Sequence, residues 1–396
     1  MNLKICRNIL SSITFSLLLF SCAHVNDPLA DLKHTTLTHQ SLYDDNAFLG
    51  YKDYSVVSQD QIFALNDQMK AFVATQLQTE KEPYQRAKKL LTHLFSQSPT
   101  SLQYQNGANL TAIETYNQNV ANCLSLTILA YTLAEHAKLT LAFQEIIIPE
   151  YWVRNGQYNL LTGHVNLKVT GKKQAPGKVV WGQNSITIDF DPYSTKHHFT
   201  KRLISKNKVT AMFYNNRGAQ AIVAGDSPKA YAYLKAATLM DPKFGPAWAN
   251  LGLLYKQQNL LELAENTYIK AISLDNKNYN AWNNLSILYA SQAKDEKAKA
   301  IDIYLLNARI HNPYYHGLLG DEALYQGNFS QAIKHFKRAN KMKPEEDEFY
   351  FGLAKAYFKL GDLNKSQRYL MKAKAHAPFQ SIEKKYQDKL SLFSSL

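Results

Sequence analysis

Cys123, His164 and Asp191 have the residue types and the chain order for thiol chemistry. Cys123 opens the run "CLSLTILAYTL", and Asn122 just before it is a good N-cap, which puts the thiol in the first turn of a helix. Unpaired N–H groups and the positive end of the helix dipole favour a thiolate at such a place. His164 begins a stretch that alternates, with Val165, Leu167 and Val169 on one face and His164, Asn166 and Lys168 on the other. "SITIDFDPY" (185–193) alternates as well: Ile186, Ile188 and Phe190 share one face, Thr187, Asp189 and Asp191 the opposite one. Paired antiparallel, the start of the first segment lies beside the end of the second. His164 then meets Asp191, with Asp189 in reserve on the same face. In such a trio the imidazole takes the thiol proton, and the carboxylate fixes its tautomer and stabilises the imidazolium.

Positioning these groups needs a buried helix against a sheet. The helix from Cys123 is apolar on nearly every side, with Leu124, Leu126, Ile128, Leu129, Tyr131 and Leu133, so it belongs in the centre of a domain. "LAFQEIII" (141–148) reads as a further strand. Segments 62–76 and 83–95 read as amphipathic helices covering the core, the second starting on Pro83, which suits a first helical position.

"NCLSLTILAYTLAEHAKL", "GHVNLKV" and "IDFDPY", in this order, resemble the transglutaminase-like superfamily. The resemblance implies an α+β papain-like domain over 59–210 and chemistry at amide carbonyls, with Cys123 as nucleophile, His164 as base and Asp191 as orienting acid. Asp189 is the reserve acid, and Asp191 precedes Pro192 as in the family's Asp-Pro. The aromatic residue often found two after the histidine is Asn166 here. The backbone N–H of Cys123 is the natural oxyanion donor, and Gln118 is a second candidate. No cofactor is expected, and no metal: His197-His198 is an adjacent pair with no cysteine or acidic cluster beside it.

The beginning of the chain reads as targeting. Lys4 and Arg7 precede an apolar run too short to span a bilayer, and the run ends in Leu19-Phe20-Ser21-Cys22, which resembles the lipobox of bacterial lipoproteins. That implies a signal at 1–21, cleavage before Cys22 and acylation of Cys22. Ala23 rather than Asp then implies an outer-membrane anchor facing the periplasm. Cys6 leaves with the signal, so Cys123 becomes the free thiol, and no disulfide framework is expected. Residues 22–58 are polar and weakly patterned, a tether from lipid to domain. The formal charge of +13 falls to +11 without Lys4 and Arg7. At that address the expectation is no nucleic acid; anionic envelope polymers or lipid head groups suit the charge better.

From about residue 211 the sequence repeats every 34 residues: Trp248 and Trp282, Tyr255 and Tyr289, Ala264 and Ala230 all keep that step. "AWANLGLLY" and "AWNNLSILY" are near copies. The pattern resembles the tetratricopeptide repeat and implies an all-α superhelix of five repeats over 211–380, with a capping helix and tail at 381–396. The third repeat departs: Asp302 stands where a large residue is expected and Pro313 arrives late, so a local register shift is expected there. Asn216, Asn250 and Asn284, 34 apart, are candidates to line a peptide-binding groove, since an amide pairs with any peptide backbone. The chain is thus expected either to be a thiol enzyme whose repeats recruit a protein partner, or a non-catalytic envelope scaffold.

Overall fold

The computed structural model describes residues 39–96, 103–105, 107–118, 120–155, 158–170, 185–189, 199–377 and 380–393. The expected signal, Cys22, Asp191 and His197-His198 lie outside these residues. Among the described residues no helix is long and apolar enough to cross a membrane.

The N-terminal part combines helices with a small antiparallel sheet. Its helices are α1 (Gln59–Ile62), α2 (Asp67–Phe72), α3 (Pro83–Ser96), α4 (Ala112–Gln118) and α5 (Cys123–His136). One continuous helix was expected over 62–76. A capping box on Ser58 starts α1, and Asn66 starts α2 anew by accepting from the Met69 N–H, so two caps divide the segment. A π turn, Val73–Leu77, extends α2.

The short strands β1 (Gln103–Tyr104) and β2 (Val120–Ala121) pair in parallel. The main sheet contains β3 (Thr140–Asn155), β4 (Tyr158–Thr170), β5 (Ser185–Ile188) and β6 (Thr200–Ile204), in the order β5-β4-β3-β6 with every pairing antiparallel. Leu124, Leu126, Ile128 and Leu133 of α5 are buried in one cluster with Phe143, Val165, Leu167, Val169 and Ile188 of the sheet. This burial on all sides is why α5 shows no polar stripe.

The C-terminal part is a run of helix pairs: α6 (Lys206–Ala224) with α7 (Ser227–Met240), α8 (Gly245–Gln257) with α9 (Leu261–Leu274), and α10 (Tyr279–Ser291) with α11 (Asp295–Arg309). Then follow α12 (Pro313–Tyr325) with α13 (Phe329–Met342), α14 (Asp347–Lys359) with α15 (Leu363–His376), and α16 (Gln380–Phe393). Small residues let the paired helices approach. A Cβ on Gly252 would lie 2.7 Å from the Tyr268 ring, and one on Gly320 would lie 2.8 Å from Phe336.

Three expectations change. The third repeat shows no register shift: α11 and α12 start 34 residues after α9 and α10. α11 buries Ala298, Ile301 and Leu305 at the positions of Ala264, Thr267 and Ala271 in α9. Asp302 and Leu306, at the positions of the buried Tyr268 and Ile272, are exposed, and Arg309 at the end of the helix is buried. Ser286 stands at the glycine position and donates to Asp302 Oδ1 at 2.6 Å, replacing the aromatic-on-glycine contact seen at Gly252 and Gly320.

Residues 22–58 were expected as a tether, yet from residue 39 the chain lies on the repeats. Leu42 and Phe48 are buried in the α7–α9 core, Phe48 stacks on Tyr231 at 4.3 Å, and Tyr255 Oη donates to the Leu42 carbonyl at 2.7 Å. The apolar Leu42 and Phe48, six apart in a polar context, supply the burial that a free tether would lack.

The core also does not divide at residue 210. Val209, Ala211 and Phe213 of α6 and Tyr233 and Ala237 of α7 share the cluster built around α5.

Candidate thiol site and the repeat array

Asn122 caps α5 by accepting from the Ser125 N–H at 2.9 Å, so Cys123 is the first helical residue. Three further bonds fix this end. Ser125 Oγ donates to the Ala108 carbonyl and accepts from the Leu110 N–H, pinning the preceding loop. Thr127 Oγ1 donates to the Val165 carbonyl at 3.1 Å, which sets the first turn of the helix against β4 beside His164. Cys123 is half-buried; His164 is 4% exposed.

Pairing of Leu167 with Ile188 places Asp189 just past the strand end, at the register position of Asn166. Its carboxylate reaches two side chains. Oδ1 lies 2.7 Å from His164 Nε2, and Oδ2 accepts from Asn166 Nδ2, also at 2.7 Å. Cys123 is the second side chain bonded to the imidazole. Burial works against the imidazolium, but the bonds to Asp189 and Cys123 and their charge outweigh it, and the His164 pKa is raised to about 10.

The structure therefore brings together Cys123, His164 and the reserve acid Asp189. Asp191 lies outside the described residues. Gln118 is exposed at the last position of α4, five residues before the thiol. Asn166 was read only as a departure from a family pattern. The signal that marks it was present, a polar residue on the His164 face of the strand between Val165 and Leu167. Among the described residues no three His, Cys, Asp or Glu side chains cluster as metal ligands would.

Asn216, Asn250 and Asn284 are half-buried, and Asn250 Nδ2 is turned into the array, donating to Asn215 Oδ1 at 2.8 Å. A contact that the sequence did not signal joins the two parts. Between Ile146 and Tyr151 the β3–β4 pairing is interrupted, and Glu150 in this bulge receives Arg309 Nε and Nη2 at 2.7 and 2.8 Å. Asn312 Nδ2 donates to the Glu150 carbonyl, and the Arg309 guanidinium lies over the Tyr279 and Tyr315 rings.

Residues 245–278 and 323–383 match family models described as tetratricopeptide repeat. The C-terminal helices are accordingly tetratricopeptide repeats. A curated relative, Superkiller protein 3 of Schizosaccharomyces pombe (strain 972 / ATCC 24843), is 29% identical over 128 residues, covering 31% of this chain but 9% of its own length. The chain thus spans under a tenth of that relative. Among solved structures, pilF of Pseudomonas aeruginosa is 17% identical, covering 48% of this chain and 90% of its own at a TM-score of 0.29. MamA is 20% identical, with 42% and 91% covered and a TM-score of 0.25. YrrB, described as a TPR protein with an unusual peptide-binding site, is 15% identical, with 45% and 92% covered and a TM-score of 0.25. At such scores none of these structures bears on function.

Proposed function

We propose that this chain is a thiol enzyme acting on amide bonds of a peptide or protein, with a transglutaminase-like catalytic part and repeats that recruit the partner. The observation that carries this reading is the buried His164 bonded on one side to Asp189 and on the other to a cysteine in the first turn of a helix. The Cys123 sulfur attacks the carbonyl carbon, and the carbonyl pair moves onto oxygen beside the Cys123 N–H. His164 holds the thiol proton and passes it to the departing amine as the C–N bond breaks. Water, giving its proton to His164, then attacks the thioester and releases the acid and the thiolate. An amine in place of water would give transamidation; hydrolysis is the favoured course where water is abundant. Asp189 rather than Asp191 takes the orienting role. Through Cys22 the enzyme is lipid-anchored at the outer membrane and faces the periplasm.

Alkylation tests the site. In a full chain carrying Cys6→Ser and Cys22→Ser, iodoacetamide at pH 7 labels Cys123 rapidly, and His164→Ala slows the reaction roughly tenfold or more. Slow labelling that ignores the mutation would remove the enzyme reading.

The repeats favour a second reading, a scaffold that binds proteins through its helices. Loss of Cys123 leaves a scaffold's partner binding and cellular role intact, whereas changes at Asn250 and Asn284 impair both readings.

A further inference from the structure

We propose that Asn166 is a positioning residue that locks the Asp189 carboxylate for His164; the proposal rests on the thiol reading above. Asn166 is fully buried on β4, flanked by Val165 and Leu167. A polar amide at such a place needs a polar partner, since burying it unbonded is unfavourable. That partner is Asp189 Oδ2, and because an ionised carboxylate only accepts, the Nδ2 end of the amide must face it.

One carboxylate is thus held at both oxygens, by Nε2 of His164 and by Nδ2 of Asn166. Loss of the amide removes the hydrogen bond at Oδ2 and with it one of the two bonds that set the carboxylate's orientation toward the imidazole. Asn166 acts through Asp189.

The test compares alkylation of Cys123 in the full chain carrying Cys6→Ser and Cys22→Ser. Asn166→Leu keeps the branching but has no donor, and Asn166→Thr suits a strand but is too short to reach Asp189. In either folded variant the rate at pH 7 falls roughly tenfold, the low end of what outer partners of functional histidines contribute. The pH–rate profile moves to that of Asp189→Ala, while the circular dichroism spectrum stays that of the parent. A folded variant with the parent's rate and profile overturns the proposal, provided His164→Ala and Asp189→Ala are slow. If those two match the parent, the thiol reading fails, and the proposal with it. Should neither Asn166 variant fold, asparagine-selective ¹⁵N labelling of the parent decides. An Asn166 amide proton shifted downfield and released in Asp189→Ala supports the proposal, and an amide indifferent to that mutation overturns it.

Discussion

At the scale of the residue, the His164–Asp189 pair makes stability depend on pH. An unfolded histidine titrates near ~6.5, and in the folded chain His164 is raised to about 10. Between these values the native state binds a proton that the unfolded state has lost, so stability falls as pH rises. The contribution of the pair is complete below ~6.5 and is gone above about 10. Thermal midpoints measured from pH 6 to pH 10 should fall more steeply for the parent than for His164→Gln; parallel curves would contradict the raised value. Alternation alone told which residues share the His164 face, so a carboxylate partner was legible from "SITIDFDPY". Which carboxylate was not. Direct opposition points to residue 191, but a side chain displaced by two along the neighbouring strand is still within reach. Asp189 uses that diagonal reach while Asn166 holds its other oxygen.

At the scale of the element, the 34-residue step was readable because large and small partners recur at fixed positions, Tyr268 on Gly252 and Phe336 on Gly320. The burial of Arg309 was not, because its partner lies more than 150 residues away in the bulge of β3. Arg309, the last residue of α11, is buried against Glu150. His164 pairs with Ile146, the last residue before this bulge, so the repeat array grips the sheet right beside the thiol site. The Arg309 and Glu150 side chains are 6% and 15% exposed. Removing one partner of such a pair costs about 3–5 kcal/mol, mostly by stranding the other charge. Arg309→Gln should therefore lower stability in urea by about 3 kcal/mol. Adding Glu150→Gln should cost less than the two single losses combined, since the stranded carboxylate is gone. Strict additivity would mean that the pair holds nothing.

At the scale of the molecule, ties among the described residues include the core shared between α5 and α6, the Glu150 bulge, and the segment from residue 39 lying on α7–α9. The last tie bears on where the proposed enzyme can work. A free tether from Cys22 to residue 58 would reach about 120 Å, whereas docking from residue 39 leaves a reach of at most about 60 Å. On the anchor proposed above, the first repeats are thereby kept near the membrane, and partners must come to them there. The docking is held by apolar burial with a polar clasp. Phe48 stacks on Tyr231, while Asp45 accepts from Tyr51 Oη at 2.7 Å and Tyr231 Oη at 2.8 Å and pairs with Lys235. Removing a buried phenylalanine ring costs about 3–5 kcal/mol, more than a short exposed segment is expected to hold in reserve, so the loss should appear as local release rather than global unfolding. Phe48→Ala should speed proteolysis and amide exchange across 39–54 while the exchange of α9 and α5 stays slow. If exchange rises equally throughout the repeats, the segment is part of the cooperative core. The reach would then be fixed by the fold itself and not by a strap that can be loosened.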